Sequence, residues 1–197
     1  MIAAKPDIEM AKEAIIKAFE TGGKLLLCGN GGSCADCEHI VGELMKGFMR
    51  KRELPEEKKL EMIKNADFID REWLCQLQGG LPAISLPSAA ALNTAFCNDV
   101  NPELIYAQQL MGLGKSGDVL LCISTSGNSK NVCAAATVGR ALGITVIGLT
   151  GKSGGRLKEI ADICICVPET ETYKVQELHL PVYHYICAEA EKYFFDD

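Results

Sequence analysis

The chain has 197 residues, 48% of them hydrophobic, and its 20 basic and 26 acidic side chains leave a formal net charge of −6. That length and apolar content suit one globular domain with a sizeable core and exclude a disordered chain. The acidic balance argues against a general nucleic-acid surface, and no apolar run nears the about 18 residues of a membrane span.

Charged residues spread through the first twenty positions (Lys5, Asp7, Glu9, Lys12, Glu13, Lys17) replace the apolar core of a signal peptide, so the expected location is cytoplasmic. Six of the ten cysteines (Cys28, Cys122, Cys133, Cys164, Cys166 and Cys187) sit inside apolar runs and read as small buried hydrophobes. Cys34-Ala35-Asp36-Cys37 has redox or metal spacing, but it lacks a second cysteine pair and thioredoxin-like surroundings.

Residues 8–19 place Ile8, Ala11, Ile15, Ala18 and Phe19 at helical spacing and end at Gly22-Gly23. A first strand over 24–28 leads into Gly29-Asn30-Gly31-Gly32-Ser33, a tight loop that lets a ligand approach the backbone, and then a helix over 34–46. The loop lacks the full Gly-x-Gly-x-x-Gly fingerprint, so no dinucleotide is indicated. Residues 48–80 are rich in charge, and Pro55 is placed to begin one helix running to about residue 78. Leu60, Ile63, Phe68, Trp73, Leu74 and Leu77 form its apolar stripe, which reads as a helix packed on the domain or on a partner subunit rather than as a substrate lid. A second strand is expected over 81–86, a connection over 92–99 and a helix over 103–113.

Residues 118–123 are a short apolar run, as in a strand buried on both faces of a parallel sheet. Ser124-Thr125-Ser126-Gly127-Asn128-Ser129 follows, and then a helix over 130–142 with Ser129 or Asn128 as its N-cap. A strand, a hydroxyl-rich loop and a helix N-terminus together make an anion pocket suited to phosphate. An ordinary βα turn with a capping serine is the competing reading. A fourth strand over 145–149 precedes Thr150-Gly151-Lys152-Ser153-Gly154-Gly155, which fails the P-loop pattern because Val146 stands where a glycine is required. A fifth strand over 163–167 and a closing helix over 171–194 complete an alternation that implies a parallel sheet covered on both faces, with ligands at the strand carboxyl ends.

All three histidines fall near these loops. His39 and Glu43 share a helix face at i, i+4, and His179 and His184 lie on the last helix with Gln176 and Glu177. A histidine and a carboxylate at that spacing can hold a divalent metal or form a simple surface pair.

Cys28-Gly29-Asn30-Gly31-Gly32-Ser33, His39 and Glu43, the 123–129 loop, the 149–155 loop, and Val175-Gln176-Glu177-Leu178-His179 with His184 together resemble the phosphoheptose isomerases of the sugar isomerase (SIS) domain family. The match spans nearly the whole chain. It implies a three-layer, doubly wound, flavodoxin-like SIS fold over residues 1–197, with a five-stranded parallel sheet flanked by helices and an inserted charged segment at about 48–80. It implies a homotetramer with active sites near subunit interfaces, no direct nucleic-acid or membrane partner, and isomerisation of sedoheptulose 7-phosphate to D-glycero-D-manno-heptose 7-phosphate, the first step towards bacterial surface heptoses. By the same resemblance Ser124, Thr125, Ser126 and Ser129 hold the phosphate, Asn30, Gly31 and Gly32 line the sugar, and Asn98-Asp99 lies at the pocket. His39, Glu43, Gln176 and His184 match zinc-binding positions, with Glu43 as base and His184 as acid.

Gln176 and His184 are eight residues apart, a rise of roughly 12 Å on one helix. Either the helix begins after Gln176 or one ligand comes from a neighbouring subunit. The chain departs from the family at Gly47, where an arginine is usual, and at Tyr173, where an aspartate is usual; the first helix is short and the 48–80 connection long. The competing functions are a non-catalytic phosphosugar sensor, a relative associated with the replication initiator, and an isomerase of another phosphosugar. Retention of Glu43 and His184 favours an isomerase.

Overall fold

The computed structural model describes residues 6–196. Each apolar run becomes a strand: β1 (Leu25–Gly29), β2 (Ala83–Ser85), β3 (Val119–Ser124), β4 (Thr145–Thr150) and β5 (Ile163–Cys166). All pair in parallel, in the order β2-β1-β3-β4-β5. This is the flavodoxin-like winding. Side chains alternate between two cores, as a pleated strand covered on both faces requires. Leu25, Leu27, Val119, Leu121, Ile123, Ile147 and Leu149 face the core under α1 (Pro6–Glu20), α2 (Gly32–Met45) and α9 (Thr172–Phe195). Leu26, Cys28, Leu120, Cys122 and Val146 face the other, under α6 (Ile105–Leu113) and α7 (Lys130–Ala141). The remaining helices, α3 (Glu56–Asn65), α4 (Arg71–Gln76), α5 (Ala90–Asp99) and the single turn α8 (Leu157–Ile160), lie in connections.

Two connections differ from expectation. The single helix anticipated from Pro55 to about residue 78 is two helices, because Ala66 N donates to Met62 O to close the first and Asp70 accepts from Glu72 N to cap the second. The break falls at Asn65-Ala66-Asp67, where asparagine and aspartate compete with the helix for backbone hydrogen bonds. Residues 92–99, read as a plain connection, belong to α5, which buries none of its side chains, so no core stripe marked it. The 54–77 excursion is pinched at its base: Glu53 bridges Gln78, Gly79 N donates to Arg52 O at 2.7 Å, and Gly47 N donates to Gln78 Oε1 at 2.8 Å. Among the described residues no disulfide forms, and no helix is long and apolar enough to cross a membrane.

Candidate functional site

In this strand order β1 and β3 lie side by side at the centre, and their connections leave in opposite directions. Their carboxyl ends therefore open the crevice in which doubly wound sheets bind ligands. Tyr106 donates its hydroxyl to Gly29 O and Asn30 Oδ1 at 2.8 and 3.0 Å, while Asn30 and Asn131 exchange amide hydrogen bonds of 2.8 and 3.0 Å. The loops after β1 and β3 are thereby held in one frame. Gly31 precedes α2 and Gly32 opens it; a Cβ on Gly32 would lie 2.1 Å from Gln176 Nε2, so any larger residue there would push the end of that glutamine aside.

In the serine loop, Ser124 and Ser129 pair hydroxyl to hydroxyl at 3.0 Å, and Asn128 N donates to Ser126 Oγ at 3.2 Å. Thr125 accepts at its carbonyl from Gly151 N at 2.9 Å, and its hydroxyl makes no hydrogen bond among the described residues. The expected side-chain cap on α7 is absent. Ser129 occupies the cap position but turns to Ser124, and Asn128 Oδ1 accepts instead from Arg156 N at 3.0 Å. Among the described residues the amides of Lys130 and Asn131 then have no acceptor, which leaves two first-turn donors at the positive end of the helix. The 150–155 loop that fails the P-loop pattern serves as a buttress: Leu157 N donates to Gly127 O at 2.9 Å, and a Cβ on Gly127 would lie 2.0 Å from Gly154 O.

A second cluster lies along α2 and α9. His39 Nε2 is 3.1 Å from Glu43 Oε1 and 3.5 Å from His184 Nε2, and one ligand atom from each residue falls within 4.8 Å of the others. The Phe48 ring covers His184 with centroids 5.4 Å apart. Burial, then the neighbouring His39, holds the His184 pKa below its ordinary value against the pull of Glu43. Behind the cluster, Tyr183 bridges His39 Nδ1 (3.1 Å) and Asp36 Oδ1 (3.2 Å), and burial, then the Asp36 charge, pushes the tyrosine pKa up. A tetrahedral zinc with bonds of about 2.0–2.1 Å sets its donors roughly 3.3 Å apart. The 3.1 and 3.5 Å spacings lie near that figure and the three ligand atoms all fall within 4.8 Å, so these side chains form a group that could hold a metal ion.

Gln176 does not join this group within one chain. Helix α9 starts at Thr172 and runs through His184, so a later helix start is excluded, and Gln176 rests against Gly32 instead. Glu43 likewise lies eleven residues past Gly32, roughly 16 Å along α2. The serine loop with Gln176 and the His39–Glu43–His184 cluster are thus two half-sites at different levels of the helix pair. Asn98 donates to Asp99 Oδ1 at 2.8 Å; both are exposed at the end of α5, and among the described residues neither bonds to the loops after β1 or β3. His179 is fully buried beside the backbone of Thr150, which only partly offsets the burial that pushes its pKa down to about 4.

Three groups escaped the sequence pattern. Asn131 and Tyr106 had no motif to mark them. Asp36 stood one turn before His39 on the same helix face, a legible signal had the partner been known. Arg52 and Glu191 form a buried ion pair of 2.8 Å beneath the second cluster, and nothing in a charged stretch singles out which arginine turns inward.

The model of the SIS domain matches residues 3–71 and 78–151. This chain belongs to the SIS domain family. The unmatched residues between the two matched stretches, 72–77, are most of α4 and the residue that follows it, inside the pinched excursion of this SIS domain. It is 38% identical over 192 residues to the phosphoheptose isomerase of Roseiflexus sp. (strain RS-1), covering 98% of this chain and 84% of that one. The structure of a phosphoheptose isomerase from Francisella tularensis superposes with a TM-score of 0.79 at 32% identity, covering 97% and 88%. The phosphoheptose isomerase GmhA from Neisseria gonorrhoeae gives 0.76 at 30% identity, covering 94% and 85%.

Proposed function

We propose that this SIS domain is a phosphoheptose isomerase that interconverts sedoheptulose 7-phosphate and D-glycero-D-manno-heptose 7-phosphate through an enediol. The observation that carries the reading is the meeting of Glu43 with His184, from helices at opposite ends of the chain, in a fold whose β1 and β3 loops offer donors for a phosphate. Relatives bearing that enzyme's name match nearly the whole chain.

The phosphate binds the hydroxyls of Ser124, Thr125, Ser126 and Ser129 and the amides that open α7, and Asn30, Gly31, Gly32 and Gln176 line the sugar. Glu43 takes the proton from C1 and returns it to C2. His184, whose pKa burial and then the neighbouring His39 hold below its ordinary value, delivers a proton to O2 and takes one from O1, so protons balance across the enediol. His39, Glu43 and His184 hold a divalent ion such as zinc, which when bound polarises the ketose carbonyl.

The half-sites lie apart on one chain, and α3 and α5 bury none of their own side chains, leaving Phe68 and Trp73 in the excursion and Leu92 on α5 exposed. Both features support a homo-oligomer in which a second copy brings its cluster to the first copy's serine loop, with Asn98 and Asp99 at the junction.

The decisive assay follows solvent proton exchange and product formation on a panel of C5, C6 and C7 ketose phosphates. Turnover of the C7 substrate, lost on chelation and restored by zinc, is expected; binding without turnover of any member would refute an isomerase. Mixing inactive Ser124→Ala with inactive Glu43→Gln should restore about a quarter or more of the parental sites if the halves come from different copies, and none if each site is built within one chain.

A further inference from the structure

The six cysteines expected to be small buried hydrophobes divide in the structure. Cys28, Cys122, Cys133 and Cys187 are buried, whereas Cys164 and Cys166 on β5 are half-buried. β5 ends the sheet, paired to β4 alone among the described residues. Strand alternation sends Ile165 into the core under α1, α2 and α9 and turns both cysteines to the opposite face, beside α8. There the two sulfurs lie 3.8 Å apart. The hydroxyl of Thr150, the residue of β4 paired with Cys166, stands 3.5 Å from Cys166 Sγ and 3.9 Å from Cys164 Sγ and closes a triangle. Cys164 pairs with Gly148, and a Cβ there would stand 3.1 Å from its sulfur, so the missing side chain makes the room the thiol occupies. Cys28 and Cys122 come equally close, at 3.7 Å, but that pair is fully buried between central strands.

We infer that Cys164 and Cys166 form a dithiol site for a soft, low-coordinate metal ion of the copper(I) class, on the face of the sheet opposite the His39–Glu43–His184 cluster. Metal–sulfur bonds of about 2.3 Å set two thiolates roughly 3.8 Å apart at a tetrahedral angle and roughly 4.0 Å apart at a trigonal one, so the pair already stands at a chelating distance. Among the described residues no third histidine, cysteine, aspartate or glutamate joins it. Zinc, which takes four donors, is poorly served there; copper(I), which prefers thiolates and accepts few ligands, is well served. A disulfide is the competing fate of two neighbouring thiols. Residues two apart on an extended strand have Cα atoms roughly 6.6 Å apart, at the far limit for such a bond, so β5 would have to bend to close it. Burial, then the neighbouring Cys166, pushes the Cys164 pKa up to about 11, so the ion must displace its proton, and Lys158 on α8 pulls the other way. Binding therefore releases both thiol protons to water and takes up one copper(I), with no change of oxidation state. The resulting single negative charge has the Lys158 cation nearby.

The site stands apart from the isomerase reading, and so does its test. Copper(I) is offered to the reduced full chain, without oxygen, as its complex with the chromophoric chelator bicinchoninate. One equivalent should pass to the protein, and X-ray absorption should show a sulfur shell at about 2.2–2.3 Å. Cys164→Ser and Cys166→Ser should each weaken binding about 100-fold or more, and Gly148→Ala, which keeps both thiols but crowds Cys164, about tenfold. The paired change Cys75→Ser and Cys97→Ser, at the exposed single thiols, and His184→Ala, at the other cluster, should leave the affinity within about twofold. Unchanged affinity in folded Cys164→Ser or Cys166→Ser overturns the inference. So does a parent protein that takes no copper from the chelator, which would leave the pair a thiol–thiol contact only. Should both serine variants fail to fold, Gly148→Ala decides: weakened binding upholds the site and unchanged binding refutes it.

Discussion

Replacing Arg52 with methionine tests whether the 46–52 strap holds the second cluster in place. The guanidinium is fully buried and donates to Glu191 Oε1 (2.8 Å), Leu44 O (2.6 Å) and Glu43 O (2.8 Å), with its carbon 4.8 Å from the Phe195 ring centroid. It thus satisfies two carbonyls at the negative end of α2 while neutralising a carboxylate that also accepts from Phe48 N and Met49 N at 2.8 Å. Methionine keeps the length and apolar volume but strands Glu191. Breaking a buried pair from one side costs about 3–5 kcal/mol, and the two amide donors that remain on Glu191 place this case near the lower end, about 3 kcal/mol. For a chain of this size that is a fall in Tm of roughly 6–12 °C. Urea unfolding at fixed protein concentration measures it, with Glu191→Met and the double variant completing the cycle.

The single losses should not add: the double variant should recover about 1.5 kcal/mol or more of their sum. The pH dependence adds a second check. Burial alone raises the Glu191 pKa, but the Phe48 and Met49 amides and Arg52 outweigh it and leave it below the ordinary 4.5. Its contribution is therefore complete above pH 4.5 and lost as pH falls through the lower folded value. Removing Arg52 should move the onset of acid unfolding upward. A stability change under about 0.5 kcal/mol in Arg52→Met, or strictly additive losses, would refute the pair as the clamp of this strap.

Glu43→Gln should lower kcat by about 10²- to 10⁴-fold with inorganic phosphate affinity, by calorimetry, within about twofold of the parent. His179, with its pKa pushed down to about 4, stays neutral in the folded protein while its unfolded counterpart charges below about 6.5. Stability should be complete above pH 6.5 and fall by about 3 kcal/mol in all as pH drops from 6.5 towards 4, a slope that denaturant titrations should find missing in His179→Leu. Gly127→Ala combines a φ of +69° with a Cβ 2.0 Å from Gly154 O, so it should cost about 2 kcal/mol or more and weaken phosphate binding about tenfold. Gly42→Ala, with open space around its Cβ in the middle of α2, should instead stabilise the protein by about 0.5–1 kcal/mol in the same unfolding assay.

The sequence by itself determined the strands, because a strand buried on both faces must be apolar at every position, and β1 and β3 through β5 fall within a residue or two of the apolar runs. It also exposed the two loops after β1 and β3, whose glycines and hydroxyls have a local backbone reason to be there, and the pairing of His39 with Glu43, which one helix turn dictates. Tertiary structure decided everything that depends on which distant side chain arrives. It brought His184 to His39 and kept Gln176 at Gly32, it made the 150–155 loop, whose sequence fails the P-loop pattern, a buttress for the serine loop, and it turned Ser129 from a helix cap to a partner of Ser124. The excursion was read as one helix where two form, and the solvent-facing α5 as a plain connection. The excursion's apolar stripe stays mostly exposed within this chain and could not mark the break, and α5 buries none of its side chains, so no core-facing period marked it.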